Sequence, residues 1–232
     1  RGKDPVMLPE VLEYYFSEKS AGLLSARGYR REIKNFWGAV TSPITEELID
    51  TYGLDANIYG PNRGYVVSTR RNVGEARVSG AEFDYRQNLT FLPRWASGLA
   101  VFGNLTLQHL EGGTTADFTG FVQKTINYGF SFNRERITTR VSVNERGRER
   151  RAAFTGAGVE AGVYEYMAPR LSVDCSGEFR FARRFALYAT VRNLFNAPED
   201  LERYGPSTPG YAKLRQRTDF RPWWTVGLKG TY

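Results

Sequence analysis

Apolar and polar residues alternate with a period of two in one segment of this chain after another. That is the spacing at which successive side chains of a β-strand point to opposite faces. In 97–110, Leu99, Val101, Leu105 and Leu107 share one face, and Asn104, Thr106 and Gln108 take the other. In 125–133 the apolar set is Ile126, Tyr128, Phe130 and Phe132; in 137–144 it is Ile137, Val141 and Val143, opposite Thr138, Arg140, Ser142 and Asn144. Leu171, Val173, Cys175, Phe179 and Phe181 oppose Ser172, Asp174, Ser176, Glu178 and Arg180, while Phe185, Leu187, Ala189 and Val191 oppose Tyr188, Thr190 and Arg192. A last segment sets Trp224, Val226, Leu228 and Tyr232 against Thr225, Lys229 and Thr231. Three further strands are expected upstream: a short one at 11–16, one at 22–35, and a long one at 63–89 with a bulge or a second hairpin around 72–75. The count is about nine, and helical periodicity is nearly absent.

The connections alternate as well. Those at 17–21, 92–96, 134–136 and 182–184 are short, and those at 37–62, 111–124, 147–167 and 196–218 are long. In an antiparallel up-and-down sheet, this places every tight turn at one rim and every long loop at the other.

Composition narrows the setting. The 232 residues are 41% hydrophobic and 25% charged, too balanced for a disordered or collagen-like chain. Aromatics number 33, glycines 24, and 32 basic residues against 25 acidic ones give a formal charge of +7, with only six lysines among the basic set. No apolar run approaches the ~18 residues of a membrane helix, the longest candidate being the seven residues from Phe185 to Val191. One cysteine, Cys175, forbids an internal disulfide, and one histidine, His109, leaves no multi-histidine metal site.

A soluble β-sandwich would turn its apolar faces inward. Three features favour a membrane barrel instead, with the apolar faces toward lipid. Opposite charges crowd the polar faces of nearby strands, at Arg140, Asp174, Glu178, Arg180 and Arg192, as expected of a wet interior. Aromatics gather at segment ends, as in Tyr14, Tyr15 and Phe16, in Phe91 and Trp95, and in Trp223 and Trp224, matching the aromatic girdles of a membrane barrel. Short turns alternating with long loops are the asymmetry of outer-membrane barrels. Since backbone groups in hydrocarbon all need partners, such a sheet must close without edges, and single-chain bacterial barrels use even strand numbers. About nine strands therefore predict the C-terminal portion of a larger barrel, with Arg1 not the true start.

The tail carries a family resemblance. Val191-Arg-Asn-Leu-Phe-Asn196 resembles the penultimate-strand motif of the TonB-dependent outer-membrane receptors of Gram-negative bacteria, and Thr225-Val-Gly-Leu-Lys-Gly-Thr-Tyr232 is similar to their final strand with its terminal aromatic. Gly28-Tyr-Arg-Arg-Glu-Ile-Lys-Asn35, and Asn72-Val-Gly-Glu-Ala76 followed by Gly80-Ala-Glu82, resemble further patterns of that family, so the likeness covers residues 9–232. It implies an all-β, transmembrane, antiparallel up-and-down barrel, larger than this chain and of about 22 strands with a plugged lumen. The chain would be its C-terminal part, with the plug domain, the coupling segment and the N-terminal strands absent. The implied activity is energy-coupled uptake across the outer membrane of a ferric siderophore, cobalamin or an oligosaccharide, with no catalysis and no cofactor. Implied partners are membrane lipid and lipopolysaccharide, the barrel-assembly machinery, the small nutrient ligand and, through the plug, a TonB-type periplasmic coupling protein. Gly227 and Tyr232 resemble the assembly signal.

Arg140, Asp174, Glu178, Arg180 and Arg192 are the lumen-facing candidates. Arg146, Arg148, Arg150 and Arg151 form the densest basic cluster, suited to an anionic substrate or to lipopolysaccharide phosphates through bidentate guanidinium contacts. Nucleic acid is excluded as a partner, because acidic residues interrupt the basic ones and no helix carries them. His109 with Glu111 is a weak metal signal, and a glycine-rich stretch at 156–162 lacks the spacing and setting of a dinucleotide loop, which leaves it as a flexible outer loop. Competing readings are an ungated porin or channel, an outer-membrane hydrolase with His109 as its base, and a soluble glycan-binding sandwich.

Overall fold

The computed structural model describes residues 10–16, 22–34, 37–60, 64–72, 75–112, 119–156 and 158–230. Asn35 and Tyr232, both singled out above, lie outside them. Two compact units divide the chain: a smaller one containing Arg31–Val78 and Leu110–Phe118, and a larger one containing Met7–Arg30, Ser79–His109 and Thr119–Tyr232.

The strands are β1 (Glu10–Phe16), β2 (Gly22–Ile33), β3 (Trp37–Pro43), β4 (Val66–Asn72), β5 (Ala76–Asn88), β6 (Leu99–Gly112), β7 (Phe121–Val122) and β8 (Lys124–Arg134). They continue as β9 (Ile137–Arg146), β10 (Glu149–Ala153), β11 (Tyr164–Met167), β12 (Arg170–Arg180), β13 (Phe185–Arg192), β14 (Glu199–Tyr204), β15 (Leu214–Thr218) and β16 (Trp223–Gly230). Nine of them form one sheet in the order β1-β2-β5-β6-β8-β9-β12-β13-β16, the antiparallel meander expected from the alternation. The long 63–89 segment resolves into β4 and β5. Of these only β5 joins the nine-stranded sheet, while β4 pairs with β3.

Register puts like with like. Val101 faces Phe130, which faces Val141, which faces Cys175, which faces Val191, which faces Trp224. One residue along, Ala100, Ser131, Arg140, Ser176, Thr190 and Thr225 make the corresponding row on the other face. The apolar rows stay open. Phe130 is 43% exposed, Leu171 49%, Leu187 47% and Val226 66%, and the buried apolar side chains among the described residues are only Ile44, Ile49, Ala76, Ala96, Ala186 and Val191. A soluble domain hides such rows, since a large contiguous apolar patch marks a surface that meets another apolar phase. The opposite face is the concave one: a hollow of about 770 Å³ is lined by Ser25, Asp84, Arg86, Asn104, Arg140 and Asn144, among others.

Glycine fits where an aromatic ring crosses the polar face. Tyr188 stands opposite Gly227, and its ring carbon and hydroxyl lie 2.5 Å from where a Cβ on Gly227 would sit. Phe102 covers Gly129 in the same way. Such ring-over-glycine pairs shield exposed backbone and pin register. Gly227→Leu is expected to expel the Tyr188 ring and destabilise the barrel by about 1–3 kcal/mol. Unfolding midpoints should show the loss, and adding Tyr188→Ala should recover part of it.

The smaller unit corrects the expectation of a plain loop at 37–62. β3 and β4 form a hairpin ladder from the Trp37–Asn72 pair to the Pro43–Val66 pair. Helix α1 (Glu46–Tyr52) follows β3, with the Leu48 N–H donating to the Thr45 hydroxyl at 3.4 Å and Gly53 closing its C-terminus at φ 60°. Helix α2 (Ala56–Tyr59) is capped by Asp55, which accepts from the Asn57 N–H at 2.8 Å. In the same unit Arg77 pairs with Glu32 at 3.3 Å and with Glu111 at 3.4 Å.

Candidate functional site

Three of the long connections read above as loops knit into one sheet. β7, from the 111–124 connection, β10 and β11, from 147–167, and β14 and β15, from 196–218, pair in the order β15-β14-β11-β10-β7. Tyr164, Tyr166, Glu202 and Tyr204 fall on one face, by the pairing of Tyr164 with Tyr204 and of Tyr166 with Glu202, and Arg150 joins them opposite Tyr166. The glycine-rich 156–162 stretch lies in the connection between β10 and β11.

That face is an aromatic platform set with cations. Tyr166 and Tyr204 stack at 4.3 Å with an interplanar angle of 15°, and Tyr164 meets Tyr166 edge-on at 6.4 Å. The Arg150 guanidinium lies 4.9 Å over the Tyr164 ring, while the Lys213 ammonium and the Arg148 guanidinium lie 4.7 and 5.7 Å over the Tyr204 ring. Arg148 also pairs with Glu202 at 3.4 Å. Three cations against one carboxylate leave the platform positive. Burial, reinforced by the neighbouring Tyr204 phenol, pushes the Tyr166 hydroxyl above its ordinary value despite the pull of Arg150 and Arg148, so it remains a neutral donor at physiological pH. The reverse face is an ion-paired support: Arg203 clamps Glu165 through Nη2 at 2.5 Å and Nε at 3.2 Å and covers the Phe154 ring at 3.7 Å. At the margin Arg217 grips Asp200 at 2.7 and 2.6 Å, which holds that carboxyl below the usual carboxylate range.

The four clustered arginines are thereby separated. Arg148 and Arg150 belong to the tyrosine platform. Arg151 turns to the other side, with Met167 Sδ at 3.8 Å and Glu149 at 3.9 Å. Arg146 lies in β9 on the polar face of the nine-stranded sheet, opposite Arg170 and 3.5 Å from Glu149. Strand alternation scatters residues that are neighbours in sequence.

Arg140, Asp174, Glu178, Arg180 and Arg192 share that polar face. Arg140 stacks on Phe102 at 3.9 Å, and Glu178 accepts from Lys229 at 2.5 Å. Asp174 has a supporting role: its Oδ1 accepts from the Asn193 N–H at 2.8 Å and its Oδ2 from the Asn144 amide at 3.1 Å. His109 and Glu111 lie in β6, and no cluster of metal-ligating side chains occurs among the described residues.

Neither a protein-family model nor a curated protein matches the sequence. Among solved structures, a mutant of the ferric enterobactin receptor of Pseudomonas aeruginosa superposes over 97% of this chain and 30% of its own, with a TM-score of 0.61 and 18% identity. A second mutant of that receptor, in complex with enterobactin, covers 96% and 30% at a TM-score of 0.57 and 19% identity. The fold is that of the β-barrel of these receptors. The chain spans about 30% of the length of these receptors, and what the nine-stranded sheet and its loops represent is a segment of such a barrel.

Tyr164, Tyr166, Tyr204 and Lys213 had no place among the site residues read from sequence. The signal that could have found them is the alternation in Tyr164-Glu-Tyr166 and its partner in Glu202-Arg-Tyr204, each a strand too short and too polar to show by itself.

Proposed function

We propose that this chain forms wall, outer loops and lumen lining of an outer-membrane receptor for TonB-dependent uptake of a scarce nutrient, a ferric siderophore before cobalamin or an oligosaccharide. The observation that carries the reading is the nine-stranded sheet itself, which bares its apolar rows on one face and hollows its polar face on the other. β5, β6, β8, β9 and β12, of 13, 14, 11, 10 and 11 residues, are long enough to cross a bilayer, which takes ~9–11 tilted residues. In this reading Arg140, Asp174, Glu178, Arg180 and Arg192 face the passage, and Gly227 and Tyr232 belong to the barrel-assembly signal. The plug and its contacts to the coupling protein belong to sequence outside these residues.

The tyrosine platform is the proposed first contact for substrate, because ring faces stack with planar aromatic groups while Arg148, Arg150 and Lys213 attract a negative chelate. The complete receptor, expressed in a strain lacking its own uptake systems, is expected to import a ferric chelate only while the energy-coupling complex is intact. Import that persists without that complex makes it an ungated channel. Arg150→Ala and Lys213→Ala are each expected to weaken binding of an anionic ferric chelate about tenfold, the equivalent of roughly 1.4 kcal/mol.

A further inference from the structure

The tight-turn rim carries a charge pattern that uptake leaves unused. Three neighbouring turns contribute to it: the β5–β6 connection at 89–98, the two-residue β8–β9 turn and the β12–β13 connection at 181–184. They are tied edge to edge. Asn133 N–H donates to the Gly98 carbonyl at 2.9 Å, the Arg134 guanidinium to the Trp95 carbonyl at 3.2 Å, and Arg180 N–H to the Arg136 carbonyl at 2.7 Å. Along this continuous edge stand Arg94, Arg134, Arg136, Arg183 and Arg184, against a single acidic residue, Glu135. All five arginines are exposed, and none has an ion pair with an acidic side chain among the described residues.

The same turns carry bare aromatic rings. Phe91 is 72% and Trp95 75% exposed, and Phe181 stacks on Phe185 at 6.3 Å where the apolar row of β13 begins. Rings at the end of an apolar band with guanidinium groups just beyond them match a bilayer boundary, where aromatics settle among headgroups and arginines reach phosphate. An acidic protein partner would be met by the charge but would leave the rings without a role.

We infer that this rim binds the phosphates of anionic phospholipid in the leaflet opposite the long loops, so that the barrel recruits phosphatidylglycerol-type lipid around its turn end. The inference rests on the membrane reading above and goes beyond it. Planar guanidinium groups pair bidentately with phosphate, and basic residues near an anionic surface each strengthen attachment about fivefold.

The test uses the complete receptor reconstituted in vesicles of mixed phosphatidylglycerol and phosphatidylethanolamine, with retained lipid counted by native mass spectrometry after partial delipidation. The wild type is expected to retain phosphatidylglycerol preferentially. A variant with Arg136→Gln, Arg183→Gln and Arg184→Gln, all in turns and outside the substrate platform, should lower that enrichment roughly fivefold or more while binding substrate as before. A triple Lys variant should keep most of it. Equal retention of the two lipids by the wild type overturns the inference, as does an unchanged preference in the Gln variant. So does competition showing that lipid A, or an acidic periplasmic protein, occupies the rim instead. A receptor that inserts into purely phosphatidylethanolamine vesicles but shows no lipid preference leaves the membrane reading standing and removes this one. Failure to insert at all removes both.

Discussion

Val226→Arg is expected to destabilise the membrane-inserted barrel by about 2–4 kcal/mol, the cost of a guanidinium on the lipid face near the bilayer midplane, and Leu187→Arg, only two residues from the Phe185 end of the apolar band, to cost less, about 1–2 kcal/mol. Thr190→Arg, one row over in β13, is expected to be tolerated. The contrast follows from register. Leu187 faces Leu228, and Ala189 faces Val226, in an exposed apolar row, while Thr190 faces Thr225 on the hollow, polar side. Equilibrium unfolding of the complete protein from phospholipid vesicles measures all three. Equal penalties for the two faces would mean that lipid does not cover the apolar one, and the transport reading would go with it. In a soluble sandwich the order would also place the larger cost at Leu187, but there the side chain would be buried rather than nearly half exposed.

The second large effect is expected at Asn193. The Asn-Leu-Phe-Asn motif after β13 is a corner: Asn193 and Asn196 take left-handed backbone at φ 54° and 56°, and the Asn196 N–H returns to the Asn193 carbonyl at 2.9 Å. Asn193 is buried. Its side chain closes a ring with Ala197, accepting from that N–H at 2.8 Å and donating to that carbonyl at 3.2 Å, while Asp174 holds its own N–H. Asn193→Ala loses the ring and keeps the unfavourable backbone, an expected loss of about 2–4 kcal/mol. Asn193→Gly keeps the backbone conformation at ease and should lose less. Thermal and urea unfolding rank the two. Matching losses would mean that the φ angle contributes nothing.

Six strands of the wall were legible in sequence because each separates a greasy face from a wet one, and a period of two is visible whenever the faces differ. The loop sheet was not, for the same physical reason. β10 reads Glu-Arg-Arg-Ala-Ala, β14 Glu-Asp-Leu-Glu-Arg-Tyr and β15 Leu-Arg-Gln-Arg-Thr, with polar groups on both faces and hence no hydrophobic signal to count. Their register comes from partners tens of residues away, in another loop. The site followed the same division. Arg140, Asp174 and Glu178 could be assigned to one face from spacing, whereas Arg146, Arg148, Arg150 and Arg151 looked like one patch until strand geometry distributed them. The tail motif was recognisable as a string, but that its two asparagines serve left-handed backbone, and that Asp174 anchors the first, required coordinates.

The joining of three surface connections into one hydrogen-bonded fabric has a practical consequence for redesign. A graft that exchanges the segment between β9 and β12 alone would strip β7 and β14 of a neighbour on one side. Specificity should therefore travel between homologous scaffolds only when all three segments are transplanted together, as a single inherited block.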